Sequence, residues 1–378
     1  MNRFADVVVV GGGAIGCSAA FHLARGARVS DSARPLGARV VVVEKGSLAS
    51  GMTKRSGGLM HANFPDATQA QLARTSLEYV QNWKSIVGND CNFTETGLVA
   101  LAPDTQIREQ ANLLARIGVS AQTLDANALH DLQPGIYTDD APRALFEPDA
   151  GYVDPTQMTQ SLAARAKDFG ADFRTGTLAK HIRVDHNRVT GIETTTGMIE
   201  TLTVVVIAGA WSERLLKPLG VSLDLNVTRT QVAFFDRPAE LKKGHPAFFD
   251  ANTGAYYRPH TYGLMYAGMI QTEGDAANPD HFDENVSPTF VNDLRQRITT
   301  RLPMMANARY VRGHAGVCET TAHQHPIVSK IPNITGLFVA AGFGGYGLSL
   351  APAVGACIAE LVTEGNASTV NLDSWQVG

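Results

Sequence analysis

A chain of 378 residues is long enough for two domains, each with its own core, and 44% hydrophobic with 18% charged residues is the balance of an ordinary soluble globular protein. A net charge of −4 offers no general basic surface, which argues against nucleic acid as a partner. The apolar runs fall short of the roughly 18 residues that span a bilayer, the glycine-punctuated N-terminus is no signal peptide, and the 4 cysteines lack CxxC or disulfide-like spacing; together these predict a cytoplasmic protein.

Residues 6–10 are a β-branched apolar run without polar alternation, the pattern of a strand buried on both faces. Gly11, Gly13 and Gly16 follow in G-x-G-x-x-G spacing. Gly11 permits a tight turn, Gly13 lets a pyrophosphate approach the backbone, and Gly16 lets a helix over about 14–25 pack close to the strand. The first turn of that helix, with Ala14 and Ile15, offers free N–H groups and a dipole to negative charge. Residues 40–43 form a second buried strand ending in Glu44, an acid placed to hydrogen-bond a ribose hydroxyl. That acid usually lies about 20 residues past the glycines. Here residues 28–37 read as a polar surface insertion that delays it, and loops tolerate length cheaply. Strand, glycine turn, helix, strand and acid together predict dinucleotide binding.

Residues 46–58 are rich in glycine and serine and precede a predicted helix over 68–87. Short strand signals between 91 and 146 alternate with a helix near 105–117. Asp154-Pro155 opens a helix running to residue 169, with Pro155 suited to its first turn. Residues 171–175, 182–184, 189–194 and 198–203 read as a β-meander, and 202–207 as a strand leading into Ala208-Gly209-Ala210-Trp211. A second β-rich stretch covers 227–235, 255–259 and 264–270. The chain closes with a strand at 337–340, a glycine turn from Gly342 to Gly347 and a helix over about 351–363. Strand–glycine–helix therefore occurs at both ends of the chain. The expected fold is α/β (α+β, two-domain): a Rossmann-like domain from discontinuous segments 1–84, 148–217 and 322–378, and a substrate domain with a mixed or antiparallel sheet and helices from 85–147 and 218–321.

With these residues in hand, the chain resembles the FAD-dependent D-amino-acid-oxidase superfamily, in its glycine oxidase, sarcosine oxidase and amino-acid dehydrogenase branch. Four markers carry the resemblance: the N-terminal fingerprint with Glu44-Lys45, KRSGGLMHANF at 54–64, TVVVIAGAWS at 203–212 and GLFVAAGFGGYGLSLAPAVG at 336–355. The last is the most specific, because this branch has a similar glycine-rich turn under the flavin ring. The resemblance implies non-covalent FAD held by Gly11, Gly13, Ala14, Ile15, Gly16, Glu44 and Lys45 at the nucleotide end. It further implies contacts from Arg55, Ser56, Gly57, Gly58 and Leu59, from Leu178, Ala208, Gly209 and Trp211, and from Gly342, Gly344, Gly345, Tyr346, Gly347 and Leu348. Reduced flavin gathers negative charge, which backbone N–H groups over 344–348 and the following helix N-terminus would stabilise.

The relatives that take simple amino acids grip the carboxylate with a bidentate Arg. By resemblance, Cys318 stands where glycine oxidases keep that Arg, while His61 and Ser349 stand where monomeric sarcosine oxidases keep an Arg and a Lys. Cys318 also lies near the position of covalent flavin attachment in those enzymes, so a thioether is the alternative to non-covalent FAD. In Tyr256-Tyr257-Arg258-Pro259, Tyr256 and Arg258 share one face of a strand. Arg258 is the expected carboxylate anchor, with His61 and His260 next and Tyr256, Tyr257 and Tyr346 shaping the pocket. His323 and His325 read as a surface turn, and the histidines lack ligand spacing for a metal. Met265 is expected near the place where oxygen-reactive relatives keep a Lys, which favours an acceptor other than oxygen or slow oxygen use.

The implied reaction is oxidation of the C–N bond of an amino acid or N-substituted amino acid, by hydride transfer to flavin N5, giving an imine that hydrolyses. Electrons then pass to oxygen or another acceptor. Two other readings stay open: oxidation of a hydroxy compound such as a 2-hydroxy acid or glycerol phosphate, and the flavin subunit of a multi-subunit amino-acid dehydrogenase. Homo- and hetero-oligomers are both compatible with the sequence.

Overall fold

The computed structural model describes residues 4–26, 39–241, 244–270 and 278–377; the insertion expected over 28–37 lies outside them. The valine runs Val7–Val10 and Val40–Val43 are buried throughout and pair in parallel at the centre of a six-stranded sheet. Its order is Ile327–Lys330, Leu337–Ala341, Val204–Val206, Val7–Val10, Val40–Val43, Asp172–Arg174, and all neighbours are parallel except the first pair. The two chain ends thus share one sheet.

One strand changes allegiance. The stretch expected as the first strand of the meander is Asp172–Arg174, which pairs with Val40–Val43 in the parallel sheet. The helix Pro155–Asp168 immediately before it serves as a crossover that returns the chain parallel to that sheet. The meander keeps three strands: Ala179–Asp185, Arg188–Thr194 and Gly197–Glu200.

The helix Ala14–Gly26 packs between the sheet and the helices Pro155–Asp168 and Gly347–Glu364. Gly355 makes the approach to Gly347–Glu364 possible, since a Cβ there would run into Ser18. The Asp154 side chain caps Pro155–Asp168 by accepting from the N–H groups of Thr156 and Gln157, each at 2.9 Å. The helix expected over 68–87 breaks at Asn82 into Ala67–Gln81 and Trp83–Ile86, because the Asn82 amide turns back onto the Glu78 carbonyl. The last helix starts at Gly347, four residues before the expected start, and runs through Pro352; the glycine turn masks its first turn in the sequence. By length and composition this helix could cross a membrane, but 78% of it is buried in the fold.

The second sheet has eight strands, in the order Tyr310–Thr321, Leu225–Asp236, Leu264–Met269, Ala255–His260, Ala247–Asp250, Leu98–Leu101, Arg143–Glu147, Gln122–Asp125. Alternation divides its residues cleanly. One face (Ala233, Phe235, Phe248, Tyr257 and Met265) packs on Val291, Leu294 and Ile298 of the helix Pro288–Arg301. The other face presents Val232, Phe234, Tyr256 and Tyr266. Met265, expected near the flavin, and Tyr257, expected to shape the pocket, are therefore core residues of the far face, and Tyr266 takes the near one. Arg301 is wholly buried on the core side, 2.7 Å from Asp250 and 2.9 Å from Asp140.

Candidate functional site

A cavity of about 950 Å³ is lined by residues of both sheets. That is the upper end of the roughly 300–1,000 Å³ of ligand sites. One end of it is the first glycine turn, with Gly11, Gly13, Ala14, Ile15 and Gly16 on the wall. A Cβ on Gly11 would collide with the Ile207 carbonyl oxygen and one on Gly16 with the Gly11 carbonyl oxygen, so these two glycines close the turn. Gly13 differs: the nearest atom to its missing Cβ is Thr53 Oγ1 at 3.1 Å, which leaves open wall for a ligand. The N–H groups of the helix's first turn lack intrahelical partners. Thr53 Oγ1, from another loop, accepts one of them, that of Ala14, at 3.2 Å.

Glu44 stands on the wall as expected, and it also shapes the turn. Its Oε2 accepts from Gly12 N and its Oε1 from Gly46 N, both at 2.7 Å, leaving each oxygen a further lone pair. Lys45 lies 3.7 Å above the Trp211 ring and 3.1 Å from Asp280. Asp280 also accepts from Trp211 Nε1 at 2.7 Å and from Arg214. Residues 278–285 thus run along the cavity, with Pro279, Asp280, Phe282 and Glu284 on its wall and Glu284 tied to Arg55 at 2.7 Å. Burial opposes the charge of Asp280, but hydrogen bonds from Arg214, Trp211 and Lys45 outweigh it and hold the carboxyl well below its usual range. Asp280→Asn keeps the size and removes the charge. It is expected to speed release of a bound dinucleotide several-fold, read as flavin fluorescence appearing after dilution, with the wild-type rate approaching the variant's at high salt.

At the other end the loop 50–57 meets the second sheet, where Thr230, Val232, Tyr256, Tyr266, Cys318 and Glu319 face the cavity. Burial pushes the Tyr256 hydroxyl well above its ordinary value, the Cys318 thiol up to about 12 and the Glu319 carboxyl up to about 7. All three are therefore largely or partly protonated near neutrality. Gly345, Gly347 and Leu348 complete this end, and Leu178, Ala208, Gly209 and Trp211 join the wall with Lys45, Arg55, Ser56 and Gly57.

Several expected residues stand behind the wall. Gly342 and Gly344 adopt left-handed φ of 81° and 57° and bend the turn. Gly58 is likewise left-handed, and a Cβ there would meet the Val153 carbonyl oxygen, while Leu59 pairs with Tyr152. Tyr346 packs edge-on against Phe64 at 5.1 Å, and Ser349 Oγ donates to the Tyr346 carbonyl at 2.8 Å. His61, expected as a second-choice carboxylate partner, is buried and stacked on Phe64 at 4.9 Å, and burial lowers its pKa to about 4. Arg258 is buried and lies off this cavity's wall, its Nε donating to the Gly57 carbonyl and its Nη1 to the Pro259 carbonyl, with His260 Nδ1 3.4 Å from Nη1. His323 and His325 are exposed, and no cluster of metal-ligating side chains is found among the described residues.

Beside His61, Glu147 accepts from Ala62 N at 2.8 Å while its other oxygen has no partner among the described residues. Burial raises this carboxyl from 4.5 to about 7. A folded-state value above the unfolded one means that its contribution to stability is fully present below about pH 4 and lost as pH rises through 7, on the order of 3 kcal/mol in all. Glu147→Gln should flatten the urea midpoint across that window relative to the wild type.

Thr53, Tyr266, Glu319 and Asp280 were not singled out from the sequence. Strand alternation from Tyr256 across the hairpin signals Tyr266; nothing local signals Asp280, whose three partners Lys45, Trp211 and Arg214 are distant in sequence.

The cavity's length, glycine cradle, acid and unpaired helix N–H groups fit a flavin dinucleotide, and comparison with known proteins agrees. The chain is 28% identical over 376 residues to glycine oxidase from Geobacillus kaustophilus (strain HTA426), covering 96% of this chain and 94% of that one. It is 26% identical over 387 residues to monomeric sarcosine oxidase from Bacillus sp. (strain NS-129), covering 97% and 94%. The crystal structure of glycine oxidase from Geobacillus kaustophilus superposes with a TM-score of 0.82 at 26% identity, covering 100% of this chain and 99% of that one. The fold is shared with L-proline dehydrogenase from P. horikoshii at a TM-score of 0.87 and 24% identity, covering 98% and 96%. The FAD dependent oxidoreductase (DAO) family profile matches residues 6–361, and the chain belongs to that family.

Proposed function

We propose that the chain oxidises the C–N bond of an amino acid or N-substituted amino acid, with FAD held non-covalently. The observation that carries this reading is the single cavity joining the glycine cradle to the Tyr256–Tyr266 wall, in a chain whose full-length relatives are named for glycine and sarcosine oxidation. Bound FAD supplies the hydride acceptor. The chain's own residues bind and orient. Gly13 and the Ile15 N–H take the pyrophosphate beside the Thr53-bound Ala14 N–H, Glu44 a ribose hydroxyl, and the turn over 345–348 the flavin end. Tyr256, buried and protonated, presents its hydroxyl to the substrate, and the ring of Tyr266 helps to exclude water. No protein base is assigned, since an amine bound neutral needs none.

The neutral Cys318 thiol supports non-covalent attachment, because the thiolate is the nucleophilic form. All flavin should leave the protein on acid precipitation. We assign residues 1–84, 148–217 and 322–378 to the cofactor and 85–147 and 218–321 to the substrate; every strand of the six-stranded sheet falls in the first set and every strand of the eight-stranded sheet in the second. The four cysteines are free, which suits a reducing cytoplasm. The electron acceptor is oxygen or another oxidant. Turnover with an artificial dye across a panel of amino acids and N-alkyl amino acids tests the proposal. A 2-oxo acid or aldehyde with the matching amine is the expected product pair, and dye reduction by hydroxy acids alone contradicts it.

A further inference from the structure

We propose that Arg258, together with Tyr266 and His314, is a clamp that positions the cavity-wall loop at residues 55–57, and that Arg258 acts on the bound cofactor through Gly57 and not by gripping substrate. The proposal rests on FAD as the occupant of the cavity. Three strands of the eight-stranded sheet each send one side chain to a carbonyl of this loop. Arg258 Nε donates to the Gly57 oxygen, Tyr266 Oη donates to the Arg55 oxygen at 3.1 Å, and His314 Nε2 lies 3.2 Å from that same oxygen. Arg258 and Tyr266 are cross-strand partners, so the two grips are set by one register.

The carbonyls of Arg55 and Gly57 flank the Ser56–Gly57 peptide on either side. Gly57 lies on the cavity wall, and among the described residues its N–H has no protein acceptor. Holding the two flanking carbonyls against the sheet fixes the peptide between them and leaves that N–H for a ligand. The fit is close: a Cβ on Gly57 would stand 3.0 Å from Tyr266 Cε1 and 3.6 Å from Tyr256 Cε2, so the loop lies flat on the aromatic face.

Arg258 is an unusual cation. It is 4% exposed and has no carboxylate partner within ion-pair distance among the described residues. It lies between the Tyr152 ring at 4.0 Å and the Tyr266 ring at 4.9 Å, and its Nη1 donates to the Pro259 carbonyl at 2.8 Å. Its charge is therefore balanced by rings and carbonyls, and its field reaches the cavity little reduced by a counterion. A positive charge held behind the wall favours the negative charge of reduced flavin.

The test is a pair of variants, Arg258→Met and Arg258→Lys, with Tyr266→Phe as a third that removes only one grip. FAD affinity, flavin midpoint potential and steady-state kinetics are read for each. Arg258→Met should weaken FAD roughly ten- to hundredfold. It should also lower the midpoint potential and reduce kcat, with KM for a carboxylate-bearing substrate moving no more than KM for a decarboxylated amine. Arg258→Lys should recover the potential better than the affinity, keeping the charge but not the fork. Tyr266→Phe should weaken FAD with little change in potential, and it decides the matter should Arg258→Met not fold. Unchanged FAD affinity and potential in the Arg258 variants, with KM raised only for the carboxylate-bearing substrate, would overturn the clamp and restore Arg258 as the anchor. Because affinity and potential need no substrate, failure of every amine to react would refute the amine reading and leave this result standing.

Discussion

Gly13→Val should yield a folded protein that purifies without flavin colour. The other glycines of the turn cannot separate folding from binding, because a Cβ on Gly11 or Gly16 strikes a backbone carbonyl. Gly13 is free of that conflict, with only Thr53 Oγ1 at 3.1 Å from its missing Cβ. A valine there fills the wall on which the pyrophosphate is expected and forces the ligand off the helix N-terminus. Far-UV circular dichroism and the visible flavin spectrum of the purified variant, before and after incubation with excess FAD, check both halves. Retained yellow colour at full occupancy would remove this turn from the cofactor site.

Asp250→Ala should cost about 3–5 kcal/mol of stability while leaving FAD affinity intact. Asp250 and Arg301 are both fully buried in their side chains, 2.7 Å apart. Truncating the acid strands a guanidinium in the core of the second sheet, with the half-exposed Asp140 as its remaining carboxylate. Asp250 also accepts from the N–H groups of Asn252 and Thr253, each at 3.1 Å, so the turn before the Tyr256 strand loosens as well. Denaturant unfolding in saturating FAD measures the loss. The pair lies across the sheet from the cavity, which is why binding should survive.

The nucleotide half of the fold was legible because its signals are local. Four-valine strands, three spaced glycines and an acid at a strand end occupy one continuous stretch, and the structure assembles them as read. Asp172–Arg174 was misplaced because three residues of mixed polarity carry no pairing information; the preceding helix decides their sheet. The last helix hid its first turn behind the glycines that precede it. At the substrate end, alternation put Tyr256 and Arg258 on one face correctly, but it could not tell wall from backing. Which of two neighbours opens on a cavity depends on the loop laid over them, and residues 55–57 cover Arg258 while leaving Tyr256 exposed to the cavity. His61 illustrates the same limit: its motif position carried no sign that the ring would stack on Phe64 inside the fold. Asp280 was beyond reach, since its partners Lys45, Trp211 and Arg214 are separated from it by at least 66 residues.

The central claim, oxidation of an amino-acid C–N bond by bound FAD, is tested most directly by anaerobic flavin reduction. Purified holoprotein is mixed without oxygen with D-, L- and N-alkyl amino acids, and separately with 2-hydroxy acids and glycerol phosphate, and the oxidised flavin band is followed. At least one amino acid or N-substituted amino acid should bleach the flavin fully, and the hydroxy compounds should leave it yellow. Bleaching by a hydroxy compound with no response to any amine would contradict the account.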